Sequence, residues 1–367
     1  MIGLLEPLLS EHWSMRWLRR ALSITSIAVA AAMVVAGLPL WLPLAAAGDL
    51  VWALRDRRAP RWGGARTVVF VAILLVCELI GVAAALVIWI GSGFEGRRGR
   101  ARARLHAWSF ALQCWWLGTL ARAGLRCYRM RLEVEGRDEI LPAPILLFLR
   151  HASTGDTVLA GLLVSGRTAR GGQGVVLRYV LKRELLLDPC IDLFGHRLRN
   201  HFVRRGGHDA EHEIEAVGRL AEDLGPNEGV LLYPEGTRFT ADKRRRVLEH
   251  LARSGSATEL ERARALRHVL PPRHGGALAL LACNEQNRPP ADVLFCAHAG
   301  LDGSASLLDL ARGDVVGRTL HVRFWRVPWA EVPADADRRA DWLDEQWREV
   351  DRYVGAHTPV ERAATMT

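Results

Sequence analysis

An α/β fold, with a mostly parallel sheet flanked by helices and preceded by an N-terminal membrane helical hairpin, is the architecture this sequence predicts. Three observations lead there. Two long apolar runs open the chain: residues 21–48 hold no charged side chain, and residues 67–94 hold only Glu78. Beyond residue 126, short apolar runs alternate with segments of helical period, the pattern of a parallel sheet covered by helices. Two polar motifs each follow one of those apolar runs directly, the position at which open α/β sheets build their sites.

Taken in order, the chain starts with an amphipathic stretch from Leu4 to Leu18 and then enters the first apolar run. Each run is 28 residues long, whereas about 20 helical residues cross a bilayer core. A signal peptide cleaved at Ala45-Ala46-Ala47 is the competing reading, but the apolar stretch is too long for one and a second run follows closely. Residues 1–104 carry thirteen arginines against six acids, so +7 of the formal +9 sits beside the apolar runs. Nine of the thirteen tryptophans fall in residues 1–116. Indoles gather at headgroup depth and arginines on the anionic cytoplasmic face, so this basicity points to a membrane rather than to nucleic acid.

The two runs predict a helical hairpin with Asp49–Arg66 as its loop. Pro39 and Pro43 are expected to break or kink the first helix, so a re-entrant hairpin stands beside a spanning one, and the arginine count favours both ends on the cytoplasmic side only weakly. An Arg-rich hinge at 97–104 closes the 1–104 hairpin unit. An amphipathic interfacial helix is expected over 105–125, with Trp108, Phe110, Trp115 and Trp116 on it. An α/β domain over 126–357 and a tail over 358–367 complete the chain.

Strands are expected at Tyr128–Val134, Ile145–Leu149, Val175–Leu181, His201–Val203, Val230–Tyr233, His268–Leu270, Val293–Ala297 and Leu320–Trp325. Helices are expected at Thr157–Leu163, His208–Leu224, Gly275–Cys283 and Ala340–Val354, with a charged helical insertion over Lys243–Ala265. The six cysteines show no CxxC pair and no even spacing, which fits a reducing compartment and argues against a disulfide framework or zinc site. His208 and His212 stand four apart with Glu211 and Glu213 nearby. With no H-E-x-x-H and no third ligand, a solvated helix face explains them better than a metal.

The chemistry lies in two motifs. In Arg150-His151-Ala152-Ser153-Thr154-Gly155-Asp156, four residues separate His151 from Asp156 at the start of a helix, which lets the carboxylate turn back on the imidazole. Histidine titrates near the working pH of a general base, and a carboxylate on its far nitrogen fixes the tautomer. The plain alternative is an Asp favoured in a helix's first turn by the helix dipole. Ser153 as a nucleophile lacks a G-x-S-x-G elbow. In Tyr233-Pro234-Glu235-Gly236-Thr237-Arg238, Arg238 offers the planar fork that grips phosphate, Gly236 permits a tight turn, and Glu235 is placed to orient Arg238 or to accept a hydrogen bond in the turn. A plain turn with a Glu–Arg pair is the alternative.

Together these motifs resemble the first and third sequence blocks of the glycerophospholipid acyltransferases, the family that adds a second acyl chain to 1-acylglycerol-3-phosphate. Lys182-Arg183-Glu184-Leu185, Asp188-Pro189, Phe194-Gly195 and Phe202-Val203-Arg204 resemble the second block, and Val269-Leu270-Pro271-Pro272 the fourth. Lys182 and Lys243 are the chain's two lysines, against 47 arginines. The resemblance runs from Arg126 to Trp347, and the segments Val269–Gly276 and Trp342–Trp347 look most like the lysocardiolipin acyltransferase branch. It departs from the family at Arg150, where Asn is usual, and at Tyr233, where Phe is usual. Arg150 is read as a possible further phosphate donor.

The resemblance implies acyl transfer from acyl-CoA or acyl-carrier protein to 1-acylglycerol-3-phosphate, giving phosphatidic acid, with no cofactor and no metal. It places His151 and Asp156 in catalysis, and Glu235, Gly236, Thr237, Arg238, Lys182, Arg204 and Pro271 in substrate binding. The implied partners are a lysophospholipid acceptor, an acyl donor and membrane lipids, with no nucleic acid. The implied place is a bacterial inner membrane, with the catalytic domain on the cytoplasmic side. A remodelling acyltransferase for lysocardiolipin or another lysophospholipid is the alternative within the class, and a catalytically silent membrane lipid-binding protein is the alternative outside it.

Overall fold

The computed structural model describes residues 6–94, 99–153, 155–166, 174–203, 210–254, 256–302 and 306–358. Seven of the eight expected strands form: β1 (Arg131–Glu135), β2 (Ile145–Leu149), β3 (Val176–Lys182), β4 (His201–Val203), β5 (Glu228–Leu232), β6 (Asp292–Ala299) and β7 (Thr319–Val327). They lie in the order β1-β7-β6-β2-β5-β3-β4, and each neighbouring pair is parallel except β6 with β7. The sheet is therefore mostly parallel, as its alternation with helices predicts.

His268–Leu270 is not a strand. Its amides are spent elsewhere: Arg267, His268 and Val269 donate to Asp351 Oδ1, and Leu270 donates to Glu235 Oε2 at 2.9 Å. Carboxylates satisfy the backbone that a neighbouring strand would otherwise pair.

Twelve helices are described. α1 (Trp13–Ala36), α2 (Leu38–Arg55), α3 (Gly63–Gly91) and α4 (Arg100–Cys127) precede the sheet. Then come α5 (Gly155–Leu163), α6 (Pro189–Gly195), α7 (Ala210–Gly218), α8 (Ala241–Ser254), α9 (Ala257–Ala265), α10 (His274–Asn284), α11 (Leu307–Ala311) and α12 (Ala336–Ala356). The central strand β2 shows how they layer. Its five side chains are all buried, and they alternate between two cores. Ile145, Leu147 and Leu149 join a core with α3, α4, α5 and α6, while Leu146 and Phe148 join one with α7, α10 and α12.

The N-terminal elements differ from expectation in detail. The first apolar run is two helices, broken at Gly37 just before Pro39, while Pro43 stays inside α2. The expected loop over Asp49–Arg66 shrinks to residues 56–62, because Asp49 remains helical and caps α3. Its carboxylate oxygens accept from the amides of Gly64 (2.9 Å) and Ala65 (3.0 Å), donors a helix N-terminus leaves free. The helix expected over 105–125 runs from Arg100 to Cys127 and is packed between α3 and α5, with Phe110, Trp116, Leu117 and Leu120 buried and Trp108 and Trp115 partly exposed. Most of the expected hinge is thus helical or lies outside the described residues, as does the tail from 359.

Two helices, α1 and α3, are long and apolar enough to cross a membrane, and neither is mostly buried in the protein. Nearly all large apolar side chains exposed among the described residues lie between Trp13 and Trp115. A patch of that size on a folded protein marks an interaction surface.

α1 is tied to the α/β domain by buried charge. Arg19 donates to both oxygens of Asp192 (3.2 and 3.0 Å), Arg20 donates to Oδ2 (3.2 Å), and Arg19 and Asp192 are fully buried. His196 adds Nδ1 at 2.9 Å from Asp192 Oδ1 and Nε2 at 3.1 Å from Glu11. Burial alone would raise Asp192, but His196, Arg19 and Arg20 outweigh it and hold the carboxyl at about 2. Burial alone would lower His196, but Asp192 and Glu11 raise it to about 9.

A raised imidazole contributes stability that is complete below its ordinary value of 6.5 and is lost as pH rises through 9. A depressed carboxyl contributes stability that is present above its ordinary value of 3.8 and is lost as pH falls towards 2. The melting temperature in detergent is therefore expected to fall between pH 6.5 and 9, and that fall should shrink in His196→Ala. Asp192→Ala leaves two buried guanidiniums unpaired and is expected to cost about 3–5 kcal/mol. Arg16→Ala, at the exposed pair with Glu11, should cost no more than about 1 kcal/mol.

Candidate active site

The sequence blocks converge on one edge of the sheet. β2 and β5 are parallel neighbours, with Phe148 opposite Leu232, so the residues leaving their carboxyl ends, His151 and Tyr233–Arg238, emerge side by side. Lys182 ends β3 on the far side of β5, and Val203 ends β4 beyond that. Arg204 lies outside the described residues.

His151 leaves β2 with its ring largely buried. Its Nδ1 is 3.0 Å from Asp156 Oδ2. Asp156 sits in the first turn of α5, has no solvent exposure, and gathers the intervening turn around itself. Oδ2 also accepts from the amides of Ala152 (2.7 Å) and Ser153 (2.9 Å), and Oδ1 accepts from the Ser153 hydroxyl (2.8 Å). Burial alone would raise this carboxyl, but His298, His151 and the Ser153 amide hold it below the usual range, as an anion. The Ser153 hydroxyl, committed to Asp156, is a brace.

The second motif grips the first through the backbone. Glu235 is buried, and its Oε1 accepts from the His151 amide (2.8 Å) while Oε2 accepts from the Leu270 amide (2.9 Å). The His151 carbonyl in turn accepts from the Phe239 amide (2.7 Å). His151 is thus held at both its backbone N–H and its carbonyl by residues flanking Gly236–Arg238. Its ring stacks on Tyr233 (4.3 Å, 29°), whose hydroxyl lies 3.0 Å from that of Thr157. Burial pushes the Glu235 carboxyl up to about 8 against the pull of Arg150 and of the two amides. Bracing two amides needs two acceptor oxygens in either protonation state.

Gly236 takes φ +65° and lies against the Arg273 side chain, where a Cβ would come within 2.9 Å of Cδ. The turn is tight, and only glycine adopts that backbone readily. Thr237 and Arg238 are fixed by Lys243 of α8, whose Nζ donates to Thr237 Oγ1 (2.9 Å) and to the Arg238 carbonyl (3.0 Å). Arg238 is half-buried. Pro271 follows the Leu270 amide that Glu235 holds, and the Leu270 carbonyl accepts from the Trp347 indole at 3.0 Å.

Arg150 is not a phosphate donor. Its guanidinium is fully buried and spent on Asp302 (2.6 Å), the His298 carbonyl (2.8 Å) and the His268 carbonyl (2.9 Å). An arginine beside a candidate catalytic histidine reads as substrate-facing in sequence, yet β2 turns this one inward, where Asp302 pairs with it. Lys243 and His298 were missed by the sequence reading. The rarity of lysine was the one available signal for Lys243, and nothing local marks His298.

The family described as Acyltransferase matches residues 131–283, the stretch that carries His151, Asp156 and Glu235–Arg238. Over that stretch the chain is similar to the acyltransferases. Among curated relatives, mouse 1-acyl-sn-glycerol-3-phosphate acyltransferase gamma is 31% identical over 177 residues, 47% of this chain and 44% of the relative. The mouse epsilon protein is 25% identical over 219 residues, 57% of each chain. The chain thus spans about half the length of the relatives it matches. The crystal structure of the 1-acyl-sn-glycerophosphate (LPA) acyltransferase PlsC from Thermotoga maritima is similar over 77% of this chain and 96% of its own, at 14% identity and with a TM-score of 0.43.

Glu235→Gln keeps the shape of the side chain but one of its two acceptors. One buried amide, at His151 or Leu270, loses its partner, at a cost of about 1–3 kcal/mol. Thermal melting of the purified protein is expected to show that loss. A melting temperature equal to the wild type's would mean that Glu235 is not the brace.

Proposed function

We propose that the chain is a membrane-seated lysophospholipid O-acyltransferase that acylates 1-acylglycerol-3-phosphate by general-base catalysis. The observation that carries this reading is the 3.0 Å contact from His151 Nδ1 to a buried, ionised Asp156, in a turn locked from both sides. With Asp156 on Nδ1, the other ring nitrogen, Nε2, takes the proton from the acceptor hydroxyl. The alkoxide oxygen attacks the thioester carbonyl of acyl-CoA or acyl-carrier protein, and the tetrahedral adduct collapses by breaking the C–S bond. The proton on His151 passes to the departing thiolate. Ester and thiol are the products, and no cofactor or covalent acyl-enzyme enters.

Arg238, with Lys182 and Arg204, is assigned to the acceptor's phosphate, and Gly236 and Thr237 to the turn that presents Arg238. Pro271 is assigned to the wall beside them. Glu235 acts behind the turn, through the His151 backbone. An intact dyad in a braced turn weighs against a silent lipid-binding protein.

The seat on the membrane follows from how α3 is packed. Thr67 Oγ1 meets the Tyr128 hydroxyl (3.0 Å), Glu78 accepts from the Trp116 indole (2.9 Å), and the Ala85 carbonyl accepts from Arg197 (2.9 Å). Thr67 and Ala85 are about 27 Å apart along a helix, nearly the thickness of a bilayer core. A helix held by the α/β domain over that length would drag the domain into hydrocarbon if it stood upright. We therefore favour a re-entrant seat in one leaflet, on the cytoplasmic side of a bacterial inner membrane, with the tryptophans at headgroup depth.

Acyl transfer is to be read as thiol release with a lysolipid panel. His151→Ala is expected to lower kcat by about 10²–10⁴-fold while the protein still melts cooperatively. A variant keeping a third of wild-type turnover would remove His151 as the base. Arg238→Lys should raise the KM for 1-acylglycerol-3-phosphate far more than that for the thioester, since an ammonium cannot reproduce the bidentate fork. Equal acceptor KM in Arg238→Lys and wild type would take Arg238 out of phosphate recognition. A preference for lysocardiolipin would move the acceptor assignment and leave the mechanism standing.

A further inference from the structure

A second imidazole lies behind the dyad. His298 is on β6, which pairs with β2, and it is completely buried. Its Nε2 is 3.1 Å from the Arg150 carbonyl and 3.4 Å from Asp156 Oδ1. Both neighbours are acceptors, so Nε2 carries the hydrogen. Nδ1 is buried with no hydrogen-bond partner among the described residues, so a second proton there would sit unpaired. The ring is therefore neutral, and it presents the positive end of its N–H to the two oxygens.

We propose that His298 is a positioning residue for the transfer reaction, fixing the carboxylate that orients His151 from the side opposite His151 itself. The proposal rests on the general-base reading above. Asp156 Oδ2 is already shared by His151 and two amides. The other oxygen, Oδ1, meets the Ser153 hydroxyl and the edge of His298, and these two contacts set the plane of the carboxylate. The ring itself is immobile, because Arg150 donates to the His298 carbonyl (2.8 Å) while His298 Nε2 reaches the Arg150 carbonyl.

The charged groups facing the ring are Asp156 from α5, Arg150 at the end of β2, and Asp302 just after β6. Burial pushes the imidazole below its ordinary range, Asp156 and Asp302 pull it up, and Arg150 pushes it down further. A neutral donor steadies the carboxylate without competing for its charge. Remove it, and Asp156 becomes a less stabilised anion that pulls harder on the His151 proton. The His151 proton is then held more tightly and its ring orientation loosens. A merely structural His298, closing the end of β6 by holding the Arg150 carbonyl, would leave both unchanged.

The test uses the full chain in detergent and compares wild type with His298→Met, which fills volume without a donor, and His298→Gln, which restores one. Modification of His151 by diethyl pyrocarbonate, followed across pH by peptide mass spectrometry, reads the His151 midpoint without any need for activity. In His298→Met that midpoint should rise by about half a pH unit. kcat for acyl transfer should fall roughly tenfold at an unchanged acceptor KM, with most of both effects reversed in His298→Gln. An unmoved midpoint and kcat beside a lowered melting temperature would overturn the proposal.

If the wild type transfers no acyl group, the functional reading fails, while the His151 midpoint still decides the positioning role. If His298→Met does not fold, nitrogen-15 imidazole spectra of the wild type decide instead. A His298 that is neutral and protonated on Nε2 from pH 5 to 9 supports the proposal; one that titrates in that range or carries its proton on Nδ1 overturns it.

Discussion

Asp156 is a carboxylate without solvent, and the rest of the site follows from how its charge is satisfied. A lone ion in that position would be neutralised by its surroundings or would unfold them. It is instead met by one imidazole, two amides and a hydroxyl, all from its own turn except for the approach of His298. Satisfying Asp156 forces the chain between His151 and Asp156 to curl tightly, and the same curl delivers His151 in one tautomer. The orientation that general-base chemistry needs is thus a by-product of an electrostatic necessity. Glu235 extends the logic: it spends its oxygens on amides from two different segments, so the third and fourth blocks cannot shift without moving the first.

Buried charge recurs as the means of joining parts of the chain. Arg150–Asp302 ties the carboxyl end of β2 to the loop after β6, and Arg19 and Arg20 with Asp192 tie the first helix to the α/β domain. The many exposed arginine pairs on the surface are weak by comparison. What separates the two classes is desolvation, because a buried partner cannot be replaced by water when the pair is broken. The apolar N-terminal helices are therefore packed as an integral part of the α/β body rather than tethered to it. That coupling is also why, on the proposed membrane seat, the orientation of these helices fixes where the candidate-site edge faces.

Much of this was legible in the sequence. The alternation of apolar runs and helical segments predicts a parallel sheet with the right central strands, since β2, β5 and β6 are buried on both faces and read as unbroken apolar runs. Both motifs land at neighbouring carboxyl ends, as their placement after such runs implies. His268–Leu270 reads as a strand and is not one, because a short strand-like triplet carries no record of which carboxylates will take its amides. Asp49 failed as a loop residue because its partners, the free amides of α3, lie fifteen residues on. Arg150 and His298 have meaning only through contacts about 150 residues apart in sequence, which no local pattern reports.

The central claim is that His151 activates the acceptor for direct attack on the thioester, with no covalent intermediate on the protein. Intact-mass spectrometry of the full chain mixed with acyl-CoA tests it most directly, first without a lysolipid and then with 1-acylglycerol-3-phosphate. The account predicts an unmodified chain and no thiol release until the acceptor is added, then release in step with diacyl product. A chain that gains one acyl mass before the acceptor arrives, mapped to Ser153 or His151 and lost when the acceptor is added, would contradict it.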